Sequence, residues 1–96
     1  MPTKRSLPAA LKRVRQARGL SQEAFGDVSS RTYLSSLERG TKNPTLRKIK
    51  AICKVLAIHP LTLLTLSYTA GKTTEVEALM ARVRREILAL SEGRKP

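Results

Sequence analysis

The chain of 96 residues is long enough for one small domain with an appended element, and 41% of its residues are apolar. It carries 19 basic and 7 acidic side chains, a net charge of +12, and 13 of the basic residues precede residue 70. This excess favours a polyanionic partner, although a generically soluble basic protein has the same balance. The single Cys53 excludes an intramolecular disulfide and a cysteine-based metal site, and no apolar run reaches the length of a membrane span.

The first three predicted helices follow from their caps. Ser6 caps a helix that ends at Gly19, and a short helix follows within residues 22–27. The third runs over residues 30–39 and ends at Gly40, where a left-handed C-cap residue is expected.

Two more helices are predicted after a polar connector. Thr45 caps the first of them, and its expected buried stripe is Leu46, Ile49, Ile52, Cys53 and Leu56. Its lysines Lys48, Lys50 and Lys54 are expected on the solvated face. His59 and Pro60 open the fifth helix, whose inward residues are expected to be Leu61, Leu63 and Leu64.

The sixth predicted helix begins at a capping box of Thr74 and Glu77 and runs to Ser91. Its apolar residues recur close to heptad spacing: Val76, Leu79, Met80, Val83, Ile87 and Leu90. This stripe is broader than a lone helix needs and is therefore a candidate dimerisation surface. Packing of the helix back onto its own domain would explain the stripe equally.

The third predicted helix separates an apolar stripe from a polar surface. Tyr33, Leu34 and Leu37 form the stripe. The other faces carry side chains that can donate to base edges and phosphates: Arg31, Thr32, Ser35 and Ser36. A short capped helix of this kind, in a strongly basic chain, indicates a helix that reads DNA.

Catalysis is not expected from these residues. His59 is the only histidine and would have to serve every proposed triad or metal site. The run 71–73 is similar to the end of a phosphate-binding loop, but Leu66 stands where that loop requires its first glycine. The prediction is a protein with no enzymatic activity, no metal and no cofactor.

Residues 11–66 resemble the lambda-repressor-like, or xenobiotic-response-element, helix-turn-helix family of bacterial and phage regulators. The resemblance rests on an ordered set of segments: Leu11 and the runs 18–23, 37–40, 42–46 and 57–61. The separation from Ser21 to Glu38 is two residues shorter than in the family pattern. The missing residues fall in the turn before the third helix, so an altered entry angle into the groove is expected.

The resemblance implies an all-α domain of five helices, here followed by one amphipathic helix, with the third helix in the major groove. It implies base contacts for Arg31, Thr32 and Ser36; a guanidinium can bind guanine O6 and N7 together. The residues matching phosphate contacts are Gln22, Ser30, Arg39, Lys42, Asn43 and Arg47. Arg15 and Glu38 match a salt bridge that orients the third helix without touching DNA.

The expected organisation is a basic tail at 1–5, a DNA-binding domain at 6–69, and a linker with the dimerisation helix at 70–96. The expected function is a cytoplasmic, nucleoid-associated transcriptional regulator that binds double-stranded DNA sequence-specifically as a homodimer or higher homo-oligomer. Residues 70–96 leave no room for a small-molecule domain, so control by abundance or by a protein partner is expected. Two alternatives stay open: an antitoxin that also represses its own operon, and a non-specific nucleic-acid-coating protein.

Overall fold

A computed structural model describes residues 5–93, which contain five α-helices, one 3-10 helix and no strand. The elements in chain order are α1 (Leu7–Ala17), the 3-10 helix (Gln22–Phe25), α2 (Arg31–Arg39), α3 (Leu46–Leu56), α4 (Pro60–Thr69) and α5 (Thr73–Ser91). The predicted all-α class is confirmed. The second predicted helix is a 3-10 helix of four residues, in keeping with the shortened connection to the reading helix.

Local cap chemistry sets the start of the first four α-helices. The hydroxyls of Ser6, Ser30 and Thr45 each accept a hydrogen bond from the backbone N–H three residues later. At the start of α4, the Nδ1 of His59 accepts from the backbone N–H of Leu61 at 3.0 Å. The predicted caps at Ser6, Thr45 and His59 are confirmed, and the single histidine thereby has a structural role.

The predicted capping box of the last helix is wrong. α5 begins at Thr73, with Lys72 in the N-cap position and no side-chain hydrogen bond to the first turn. Because the helix starts one residue before Thr74, that hydroxyl lies inside the first turn and not ahead of it. The predicted end at Ser91 is confirmed.

The core lies among α1, the 3-10 helix, α2, α3 and α4. Its centre is Phe25, the one phenylalanine, which is fully buried and so fixes the 3-10 helix against its neighbours. The other buried core residues are Ala10, Leu11, Val14, Leu34, Leu37, Ile49, Ile52, Cys53, Leu56 and Leu63. Burial raises the pKa of the Cys53 thiol, which keeps the group neutral as a core residue requires.

Two leucines that were predicted to be buried are exposed. Leu46 is 58% exposed and Leu61 is 61% exposed. Both lie in the first turn of their helices, beyond the packed part of the core, and they line one surface groove together with Ile58 and Leu64.

Two arginines, one in α1 and one at its C-cap, cap the ends of later helices. Arg18 donates to the carbonyls of Leu56 and Ala57 at 2.9 and 3.2 Å, at the end of α3. Arg13 donates to the carbonyl of Ala70 at 2.8 Å, at the end of α4. Helix C-termini have unpaired carbonyls and a partial negative charge, and the two guanidinium groups satisfy both. α1 is thereby tied to two elements that follow much later in the chain.

α5 packs mainly against α4, and none of its 19 residues is buried. An ion pair between Arg5 and Glu75, with an N–O distance of 2.6 Å, holds its first turn. Five of its large apolar residues are at least 40% exposed: Met80, Val83, Ile87, Leu88 and Leu90. Only the beginning of the predicted apolar stripe is therefore covered by the rest of the chain.

No single helix within residues 5–93 is long and apolar enough to cross a membrane. α3 and α4 together, across a bend of 101°, do have the required length and composition. In the same range, no three His, Cys, Asp or Glu side chains are grouped so that they could hold a metal ion.

Candidate nucleic-acid interface

α2 presents its first turn to solvent. Ser30 occupies the N-cap, and Arg31 and Thr32 follow it as exposed residues. The helix start thus offers a guanidinium, hydroxyls and backbone N–H groups that no helical carbonyl can satisfy. Leu34 and Leu37 are buried on the side facing the core, and they fix which face of α2 points outwards.

Arg31 has a partner within the chain. Its Nη1 lies 3.1 Å from Oε1 of Glu23, and both side chains are more than 70% exposed. A pair as exposed as this is worth little, because water and salt screen it. The guanidinium can therefore exchange Glu23 for a base edge or a phosphate at low cost.

Ser36, which was predicted to face a base, is buried instead. Its hydroxyl donates to the carbonyl of Thr32 at 3.0 Å. The chain folds back over this turn, so that the N–H and hydroxyl of Thr41 both donate to the carbonyl of Ser36, at 3.0 and 3.1 Å. Arg39 lies against the Ser36 hydroxyl at 3.4 Å. A side chain covered in this way does not reach a base edge, so Ser36 has no place on the reading face.

Ser35 is the hydroxyl on the outer side of this turn. It is half-buried, and its Oγ accepts a hydrogen bond from Nη1 of Arg39 at 2.8 Å. It lies four residues after Arg31, one helical turn along the same face. The sequence placed Ser35 among the side chains that can donate to base edges, although the family resemblance gave the base contact to Ser36.

A buried ion pair holds α2 against α1. Arg15 donates from Nε and Nη2 to the two carboxylate oxygens of Glu38, at 2.6 and 2.9 Å. The side chains are only 12% and 4% exposed, and the forked geometry fixes orientation as well as distance. Hydrogen bonding to Glu38 raises the pKa of Arg15, which also donates to the carbonyl of Leu20 at 2.9 Å. The ion pair expected between these two residues is thus present behind the reading helix.

Gln22 joins the same network from the 3-10 helix. Its amide nitrogen donates to Oε1 of Glu38 at 3.3 Å, and the side chain is half-buried. A primary amide has two hydrogens, so one donor is left for a second acceptor. The 3-10 helix, α1 and α2 are therefore joined at a single carboxylate.

The turn before α2 is fixed by a lysine of α3. Lys48 Nζ donates to the carbonyl of Val28 at 2.6 Å and lies 5.3 Å from the centre of the Tyr33 ring. The prediction of a solvated Lys48 is therefore wrong, because the turn brings a backbone carbonyl within reach of its amine. Lys42 also approaches the Tyr33 ring, and its Nζ lies 6.0 Å from the ring centre.

The remaining residues predicted to contact phosphates are exposed around α2. They are Ser30 at its start, Arg39 in its last turn, Lys42 and Asn43 in the connector, and Arg47 in the first turn of α3. Four of the six predicted phosphate contacts are thus exposed cations or amides beyond the start of α2.

Residues 11–63 match the sequence model of the helix-turn-helix family, which covers more than half of the chain and leaves out α5. The chain is also 45% identical over 58 residues to the Control protein C.BamHI of Bacillus amyloliquefaciens, with 54% of this chain and 72% of that protein covered. No solved structure gives a significant match. The family resemblance seen in the sequence is confirmed. The chain belongs to the XRE-type helix-turn-helix family and is a DNA-binding transcriptional regulator.

Proposed function

We propose that this regulator binds a palindromic operator sequence-specifically, as a homodimer whose two α2 helices enter successive major grooves. The observation that supports this most strongly is the exposed first turn of α2 with the buried Arg15–Glu38 pair behind it. The pair holds the reading helix in one orientation in the unbound chain. Less conformational freedom is then lost when DNA binds, which favours tight and selective binding.

Base reading is assigned to the outer face of α2. Arg31 would leave Glu23 and donate two hydrogen bonds to guanine O6 and N7. Thr32, next to it and exposed, would contact a neighbouring base, and Ser35 takes the role that the sequence suggested for Ser36.

Phosphate contacts are assigned to the residues around α2 that can donate: Gln22, Ser30, Arg39, Lys42, Asn43 and Arg47. Such contacts fix the register of the protein on the duplex but carry no sequence information themselves. Gln22 can donate its second amide hydrogen while keeping its bond to Glu38. The charge of this set predicts affinity that falls as salt rises.

Dimerisation is assigned to residues 70–96, and DNA binding to residues 6–69. One short reading helix distinguishes too few base pairs for a regulator, and a dimer doubles the site. Five of the eight large hydrophobic residues that are exposed within residues 5–93 lie on α5. The name of the Bacillus amyloliquefaciens relative, a control protein, supports a role in gene control, which would be exercised in the cytoplasm at the nucleoid.

A selection from random duplex DNA at two salt concentrations tests the proposal. We expect an enriched palindrome whose half-sites lie about one helical turn apart, at both salt concentrations. Enrichment of a single half-site would contradict the dimer. Equal binding to all sequences, with a steep loss at the higher salt, would contradict specific reading and identify a non-specific nucleic-acid-coating protein.

A further inference from the structure

We propose that the two α5 helices of the dimer pair in antiparallel orientation, so that Ile87 of one copy lies against Val76 of the other. The inference rests on the proposed homodimer and adds its orientation and register. The pairing also places the second half of the partner's α5 in a second apolar groove, which lies between α4 and α5.

An apolar groove of about 460 Å³ lies between α4 and the first half of α5. Leu61 and Leu66 line it from α4, and Val76 and Met80 line it from α5. Leu61 and Met80 are 61% and 44% exposed, so the groove is open to solvent in the single chain. A continuous apolar surface of this kind favours coverage by another apolar surface.

The apolar stripe of α5 continues from this groove to the end of the helix. Val76, Met80, Val83, Ile87 and Leu90 follow a spacing of four, three, four and three residues, which is the alternation of heptad core positions. The 19 residues of α5 extend over about 28 Å. The first half of α5 borders the open groove, whereas Ile87 and Leu90 in its second half project as side chains that are 57% and 64% exposed.

These shapes complement each other only when the two helices run in opposite directions. An antiparallel pair with Met80 against the partner's Val83 also sets Val76 against the partner's Ile87. Four residues back along one helix then correspond to four residues forward along the other. The exposed second half of each helix then meets the groove of the other copy. A parallel pair would set groove against groove and leave both unfilled.

Charge at the flanking positions favours the same orientation. With this stripe as the core, Glu77 and Arg84 both fall at heptad position e. In an antiparallel pair the e positions face each other, so each Glu77 faces the partner's Arg84, twice by symmetry. A parallel pair sets Arg84 opposite the partner's Leu79, and it offers an opposite charge to Glu77 only from Lys72, which lies outside the helix at the N-cap.

Reversing these charges tests the orientation. Glu77→Arg sets two arginines against each other at both contacts, and Arg84→Glu does the same with two glutamates. Each variant alone should self-associate roughly tenfold more weakly than the wild type in sedimentation equilibrium. An equimolar mixture should form heterodimers with the affinity of the wild type, because each chain then faces opposite charges at both contacts.

The chain offers a matched control for the reversal. Neither Glu77 nor Arg84 has a charged residue three or four positions away on α5, so the substitutions leave the helix's own ion pairs intact. Arg85→Glu makes the same change in net charge as Arg84→Glu, at a position that faces away from the partner. That variant should self-associate as the wild type does.

Cysteine cross-linking reads the register directly. Val76→Cys and Ile87→Cys chains should form a disulfide when mixed and oxidised, and neither should cross-link alone. The wild type, whose only thiol belongs to the buried Cys53, is the control. Cross-linking of each variant with itself would indicate a parallel pair and overturn the proposal.

The outcomes separate this inference from the proposed function. A wild type that sediments as a monomer at all concentrations would contradict the homodimer itself. A wild type that is dimeric, with no recovery of association on mixing the Glu77→Arg and Arg84→Glu variants, would overturn the antiparallel pairing alone. Sequence-specific DNA reading would stand in either case.

Discussion

α2 and α5 are held in the structure in opposite ways. α2 has only nine residues, yet it has two buried leucines, a carboxylate that is 4% exposed and a cap at each end. α5 has 19 residues, none of them buried, and one exposed ion pair at its start. The length of a helix therefore does not measure how firmly it is fixed. The reading helix is positioned within one chain, whereas the long helix has an apolar side that its own chain leaves largely exposed.

The largest expected effect comes from removing the buried ion pair that fixes α2. Glu38→Ala would leave the guanidinium of Arg15 buried without its carboxylate, which costs about 3–5 kcal/mol in the free energy of unfolding. Urea denaturation of the variant measures this cost. Glu23→Ala, which removes the carboxylate of the exposed pair with Arg31, is the control and should cost less than about 1 kcal/mol. Equal costs for the two variants would contradict the role assigned to the buried pair.

The next prediction concerns the helix that the single chain leaves uncovered. Val83→Glu combined with Ile87→Glu should give a folded monomer, because both side chains are at least 40% exposed and contribute little to the domain core. Charges in the dimer interface should weaken self-association by roughly a hundredfold or more, and operator binding should weaken with it. Sedimentation and circular dichroism check the two halves of this prediction. An unchanged dimer would remove α5 from the interface.

A smaller effect distinguishes reading from anchoring around α2. Arg31→Ala should cost about 1–3 kcal/mol in operator binding and relax the preference at one base pair. Lys42→Ala should weaken binding to all sequences alike and lower the slope of affinity against salt, because a phosphate contact carries no sequence information. Binding titrations against single-base operator variants measure both. An unchanged base preference in Arg31→Ala would show that α2 is docked in another register.

The smallest expected effect lies in the backbone of the packed region. Ala57 ends α3 at φ +57°, a left-handed conformation that disfavours any residue with a Cβ atom. Ala57→Gly should raise the free energy of unfolding by about 0.5–1 kcal/mol. Ala51→Gly, the same substitution in the middle of α3, should lower it by about 1 kcal/mol. Thermal denaturation of the pair checks the sign, and a loss of stability in both variants would contradict the strain at Ala57.

Local chemistry made much of the fold predictable from the sequence. The hydroxyls of Ser6 and Thr45, the imidazole of His59 and the left-handed Gly40 act on groups within a few residues of themselves. Nothing elsewhere in the chain has to be known to locate such caps. The Arg15–Glu38 pair, 23 residues apart, was expected only through the family resemblance.

Apart from the capping box of α5, the wrong predictions depend on what lies opposite a residue in space. Leu46 and Leu61 have the spacing of buried residues, but periodicity does not tell where the covering element ends. Ser36 was expected to face outwards, but the turn at Thr41 lies over it. Lys48 was expected in solvent because a helical pattern does not reveal the carbonyl of Val28 on another element.

The two arginines that cap later helices, one in α1 and one at its C-cap, have a consequence for synthesis on the ribosome. Arg13 and the carbonyl of Ala70 are separated by 57 residues, and Arg18 and the carbonyl of Leu56 by 38. The first helix to be synthesised therefore completes its contacts only after the end of α4 has been made, since distant contacts must wait for the intervening chain. Both partners of each contact precede α5 in the chain, so the DNA-binding domain can close without the last helix. The reading helix can therefore be in position in a chain that has not yet met a second copy.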